Sequence, residues 1–196
     1  MANVDRVNGF RPVGTLTGNP WNAQLQRCHH AAGTDLNLNI GDLVTFSGTA
    51  DTQGNPGVVI ATAGDTYAIA GVVVGIEPSS IENLKNTYMP GATSGYVLVC
   101  TDPDVILEAQ ADGAVAVASV GLNANMVQTT AQASCLGTSG QEVDGTVGAA
   151  ANNATYQLKI IGFPQRPDNT PAAADNKVLV IINNHVFKGG TGTVGI

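Results

Sequence analysis

The chain has 196 residues, of which 12% are charged, and 15 acids against 8 Lys and Arg give a net charge of −7 and a pI near 4.6. A single domain of this length buries roughly 70% of its unfolded surface, enough for a core without staples. The acidic balance argues against direct nucleic-acid binding, which needs clustered cations to displace counterions from phosphate, and no apolar run approaches the ~20 residues of a membrane-spanning helix. Cys28, Cys100 and Cys135 match no zinc or disulfide spacing, and residues 1–6 lack a secretory apolar core; both point to folding in a reducing cytoplasm.

Residues 1–27 contain Gly9, Pro12, Gly14, Gly18 and Pro20, with Phe10, Leu16 and Trp21 isolated among them and no helical period. This is the pattern of an extended N-terminal arm, made locally basic by Arg6, Arg11 and Arg27 against Asp5. The only Trp of the chain sits in it and needs a surface to cover it, either a partner's or the chain's own body.

Residues 28–188 read as one all-β domain, an antiparallel barrel or sandwich with little helix. Leu43–Phe46, Gly57–Ala61 and Ile69–Ile76 are apolar, β-branched segments set off by Gly-Asp turns. Residues 79–86 carry a Ser cap and apolar residues three apart, the marks of one short helix. Tyr96–Cys100 and Val105–Gln110, joined through Asp102-Pro103-Asp104, predict a hairpin. The Ala-rich 114–125 stretch is locally ambiguous and is assigned to strand by context. Residues 129–154 predict a long loop with one short strand near Gln141–Val143, followed by strands at Tyr156–Phe163 and Lys177–His185. Residues 189–196 predict a flexible Gly/Thr tail.

Motifs with chemical potential are sparse. Gly190–Gly195 matches a dinucleotide-binding glycine pattern, but the helix such a loop must open is missing from the sequence that follows. Cys28 and His30 would share one strand face as two metal ligands, with His185 or an acid needed to complete a site. Cys28 or Cys100 with His185 is a conceivable nucleophile and base, and Asp102, Asp104 and Glu108 a conceivable cation site or acid pair, although Asp-Pro-Asp is first of all a turn. These residues make a β-barrel metal-binding enzyme the weakest alternative, and the expectation is no catalytic residues, no metal and no cofactor.

Several blocks together carry a resemblance. Asn8-Gly9-Phe10-Arg11-Pro12-Val13 followed by Gly18-Asn19-Pro20-Trp21-Asn22, then Gly41-Asp42-Leu43-Val44 and Ala70-Gly71-Val72-Val73-Val74-Gly75, resemble the arm and β-tulip-type hairpins of tailed-bacteriophage decoration or cement proteins, the auxiliary head proteins of cyanophage-like podoviruses. Cys100–Val105, Val120–Asn125, Arg166–Asn169 and Ile182–His185 are similar to segments of related phage structural proteins. The resemblance implies a clustered, trimeric β-protein on the outer surface of the virion, bound to the major capsid protein and stabilising its contacts. Phe10, Arg11, Pro12 and Trp21 would then be the capsid-contacting residues. A tail, fibre-base or host-adhesion component is the alternative within the same virion class.

Overall fold

The computed structural model describes residues 3–33, 36–78, 81, 84, 86–131, 137–146, 149–188, 192 and 195. In chain order the strands are β1 (Arg11–Thr15), β2 (Gln26–His30), β3 (Leu38–Asn39), β4 (Leu43–Ala50), β5 (Pro56–Ile60), β6 (Gly71–Glu77) and β7 (Tyr88–Met89). They continue as β8 (Gly95–Cys100), β9 (Val105–Gln110), β10 (Asn123–Ala124), β11 (Met126–Gln128), β12 (Gln141–Val143), β13 (Leu158–Gly162) and β14 (Lys177–Ile182). The expected all-β class is what the chain adopts. The expected helix at 79–86 and the Gly/Thr tail fall largely outside the described residues.

Among the described residues there are two main sheet systems and two small two-stranded sheets, β3 with β7 and β11 with β12. Strands β2, β5, β4, β6 and β8 close into a barrel, antiparallel except where β2 meets β5 at His29 and Gly57. A second, open antiparallel sheet runs in the order β1, β9, β14, β13, β10. The barrel interior holds Cys28, Val44, Val58, Val73, Val97 and Val99. A larger core lies between barrel and open sheet, where Leu43, Val72 and Cys100 meet Leu107, Ile160, Val180 and their neighbours. Adjacent residues such as Leu43 and Val44, or Val72 and Val73, therefore go to different cores. Strands buried on both faces lose the polar alternation of a half-exposed strand, which is why these segments read as continuous apolar runs.

Three sequence expectations are corrected by this topology. Tyr96–Cys100 and Val105–Gln110 do not form a hairpin: β8 pairs with β2 and β6 inside the barrel, whereas β9 pairs with β1 and β14. The intervening Thr101–Asp104 carries the chain from one sheet system to the other, and the Asp102 carboxylate accepts the Asp104 N–H at 2.9 Å to shape the turn. The 114–125 stretch is a single 3-10 turn at Val117–Ser119 followed by two-residue β10, because small Ala side chains give neither face enough area to hold a long strand.

The third correction concerns residues 1–27, which are not a free arm. Phe10 is 1% exposed and belongs to the shared core, β1 is the edge strand of the open sheet, and β2 is a stave of the barrel. Two glycines hold the entry. The Phe10 N–H donates to the Gly41 carbonyl at 2.9 Å, and Gly41 donates to Val73 O at 2.8 Å. Both Gly9 and Gly41 have positive φ (67° and 93°), and a Cβ at Gly41 would lie 2.7 Å from Asn8 O. Only glycine gives this conformation and this closeness without strain.

Candidate docking groove between the barrel and the open sheet

Where β1, the edge strand of the open sheet, lies beside the barrel, a solvent-open groove of about 410 Å³ forms. The 300–1,000 Å³ range is typical of ligand clefts. One wall comes from the barrel side, with Ile40, Gly41, Val73 and Val74; the other comes from β1, β9 and the start of β14. Its floor is apolar, built on Trp21, Val74 and Ala109, and its rim carries Arg6, Arg11, Lys177 and Glu108.

All four residues expected to make partner contacts line this groove, though in different ways. The Phe10 side chain is buried among core residues and offers a partner nothing, which corrects its assignment as a contact. Arg11 and Val13 are exposed on β1, and Pro12 is half-buried between them. Trp21 is half-buried against the shared core, so the surface that covers most of its ring is the protein's own. Proline at position 12 and the register shift between Pro12 and Gly14 also interrupt the outer edge of β1, so that edge is a poor template for adding another strand.

The rim electrostatics are organised by Glu108. Its side chain, 11% exposed, receives both terminal nitrogens of Arg166 at 3.0 Å and one of Arg11 at 3.3 Å. Pairing with Glu108 raises the Arg166 pKa. Asp168 extends the network to Arg166 at 3.2 Å and Lys177 at 3.3 Å. Arg6 is exposed and makes no ion pair among the described residues; its backbone N–H donates to Gln110 Oε1 at 2.8 Å, while Gln110 also holds Asp5 at 2.9 Å. The basic bias of the first 30 residues is divided by the fold. Arg27 leaves the groove entirely, lying 3.4 Å above the Tyr96 ring and hydrogen-bonded to both Glu77 oxygens at 2.9 Å on the barrel wall.

The reactive side chains singled out in the sequence do not converge. Cys28 and His30 share a strand face, as the alternation predicts, but that face is the barrel interior, where they are 0% and 1% exposed. Burial pushes the Cys28 thiol up to about 11 and raises Cys100 as well, so neither is poised as a thiolate. His185 is fully buried, accepts the Phe187 N–H at Nδ1 at 3.0 Å, and is held down to about 4 by desolvation, reinforced by the charge of Lys188. The candidate acid set is dispersed: Glu108 belongs to the arginine network, Asp102 to its turn, and Asp104 to an ion pair with Lys188 at 2.8 Å. No group of three His, Cys, Asp or Glu suited to a metal exists among the described residues. Cys135 lies outside them.

Sequence reasoning missed Arg6, Ile40, Lys177 and Glu108 as groove residues. The alternation of β9 puts Glu108 on the half-exposed face, but nothing local reports that β1 is its neighbour. Comparison with known family models, curated proteins and solved structures finds no match for this chain.

Proposed function

We propose that this is a structural virion protein that binds the outer surface of an icosahedral tailed-phage capsid and cements contacts between major capsid subunits. The reading rests on the resemblance of its N-terminal and hairpin segments to phage decoration proteins. The structural observation that supports it best is the gathering of Arg11, Pro12 and Trp21 around one open groove at the junction of the two sheet systems. Cys28, Cys100, His30 and His185, by contrast, are buried in the cores.

Capsid stabilisation then follows from linkage. A protein that binds only the assembled lattice stabilises each site by RT ln(1 + [L]/Kd), about 2.7 kcal/mol at a hundredfold excess over Kd. Trimerisation multiplies the effect, because the second and third contacts of a bound trimer are intramolecular. Exposed Tyr67, Val117, Val120 and Phe187 provide apolar surface for self-association or for the lattice. Two measurements test the reading together: the copy number of the protein in purified particles, and its co-sedimentation with heads stripped of it. Abundance near that of the major capsid protein with saturable head binding is expected. A few copies per particle would move it to the tail or fibre base, and absence from particles would overturn the virion assignment.

A further inference from the structure

The groove has a charge character opposite to that of the whole protein. Among the described residues Arg6, Arg11 and Lys177 line it with Glu108 as the one acid, on a chain of net charge −7. Glu108 is already committed to Arg11 and Arg166, and Lys177 to Asp168, so among the described residues the rim cation without an ion-pair partner is Arg6. Between the charged groups the lining is apolar, with Trp21 half-buried and Ile40 on the barrel-side wall 44% exposed. A small inorganic anion would satisfy the rim and leave that lining in water. A nucleic-acid strand would bring many phosphates against an acidic body, at an electrostatic cost that a segment with two or three carboxylates avoids.

We infer that the groove docks an acidic peptide segment with an apolar centre, its apolar side chain covering Trp21 and Ile40 and its carboxylates meeting Arg6 and Lys177. The inference deepens the capsid-binding reading by naming the chemistry of the segment recognised, and it rests on that reading only for which polypeptide supplies the segment. Lys177 exchanges part of its contact with exposed Asp168 for the incoming carboxylate, a switch between two surface ion pairs of similar worth.

Trp21, as the sole tryptophan, makes the groove directly observable. The full chain is titrated with a synthetic octapeptide alternating Asp and Glu with Leu and Phe, with a counterpart carrying Lys in place of every acid, and with a short oligothymidylate, following tryptophan emission. The acidic peptide is expected to give a saturable emission change whose apparent Kd weakens roughly tenfold between low salt and ~0.3 M, where the screening length has fallen well below 10 Å. The double substitution Arg6→Glu with Lys177→Glu is expected to weaken it at least tenfold at unchanged circular dichroism. Arg6→Gln alone serves if the double variant does not fold, because Arg6 is exposed and unpaired among the described residues. No response to the acidic peptide, an equal response to the basic one, stronger binding of the oligonucleotide, or full affinity in the variants would overturn the inference. The two readings fail separately: peptide binding without head binding removes the capsid assignment and leaves the groove, whereas head binding with no response to the acidic peptide removes the groove and leaves the capsid assignment.

Discussion

Replacing Phe10 by Ala separates a core plug from a mobile anchor. The ring is 1% exposed within the core shared by barrel and open sheet. Its removal forfeits about 2–3 kcal/mol of transfer free energy. If the surrounding core cannot close over the gap, a void of ~80 Å³ costs about 2 kcal/mol more at 24 cal/mol per Å³. A loss of about 4 kcal/mol lowers Tm by roughly 8–16 °C in a chain of this size. Calorimetry gives the Tm, and urea denaturation followed by Trp21 emission gives the free energy. By the same reasoning, deleting residues 1–25 should remove β1 and Phe10 and leave a destabilised or insoluble remnant rather than an intact body. A Phe10→Ala protein melting within about 2 °C of the parent would refute the argument, since it would mean that the segment is dispensable to the fold.

Gly41→Ala combines a positive φ with a Cβ 2.7 Å from Asn8 O, and an expected loss of about 3 kcal/mol in urea denaturation checks the junction between β1 and the barrel. His185 is about 4 in the folded protein against 6.5 when free, so the unfolded chain binds the proton first. Stability should therefore be full above pH 6.5, fall as pH drops through that window, and stop falling below about 4, for a total of about 3 kcal/mol. Buried His30 shifts in the same direction, so the part due to His185 is the difference in slope between the parent and His185→Gln over pH 4–6.5. Iodoacetamide applied to the native protein near neutral pH should leave Cys28 and Cys100 unmodified, as read by peptide mass mapping, and label both once the chain is unfolded.

What was legible in the sequence was local. β-Branched runs between Gly-Asp turns marked β4, β5 and β6, and even the short β12 at Gln141–Val143 was visible against its polar surroundings. What was not legible was which strand joins which sheet. Tyr96–Cys100 and Val105–Gln110 have the spacing and alternation of a hairpin, and only tertiary pairing sends them apart. The groove was half-visible for the same reason. Arg11, Pro12 and Trp21 stood out by residue type, whereas Glu108 and Lys177 reach them through strand pairings spanning much of the chain. Phe10 stood out too, but an isolated aromatic among Gly and Pro carries no mark that distinguishes an anchor from a plug.

The seat of β1 is a matter of timing as well as space. Every residue of the barrel lies between Gln26 and Cys100, yet Arg11–Thr15 pairs with Val105–Gln110, made roughly 95 residues later. At about 5–20 residues per second, the opening strand waits on the order of 5–20 s after its synthesis for its mate, while the staves behind it can already close. The groove needs more still, because Lys177 of its lining comes from β14, which pairs with β9 and is made about 70 residues after it. A nascent chain that stops short of β14 therefore lacks one wall of the groove.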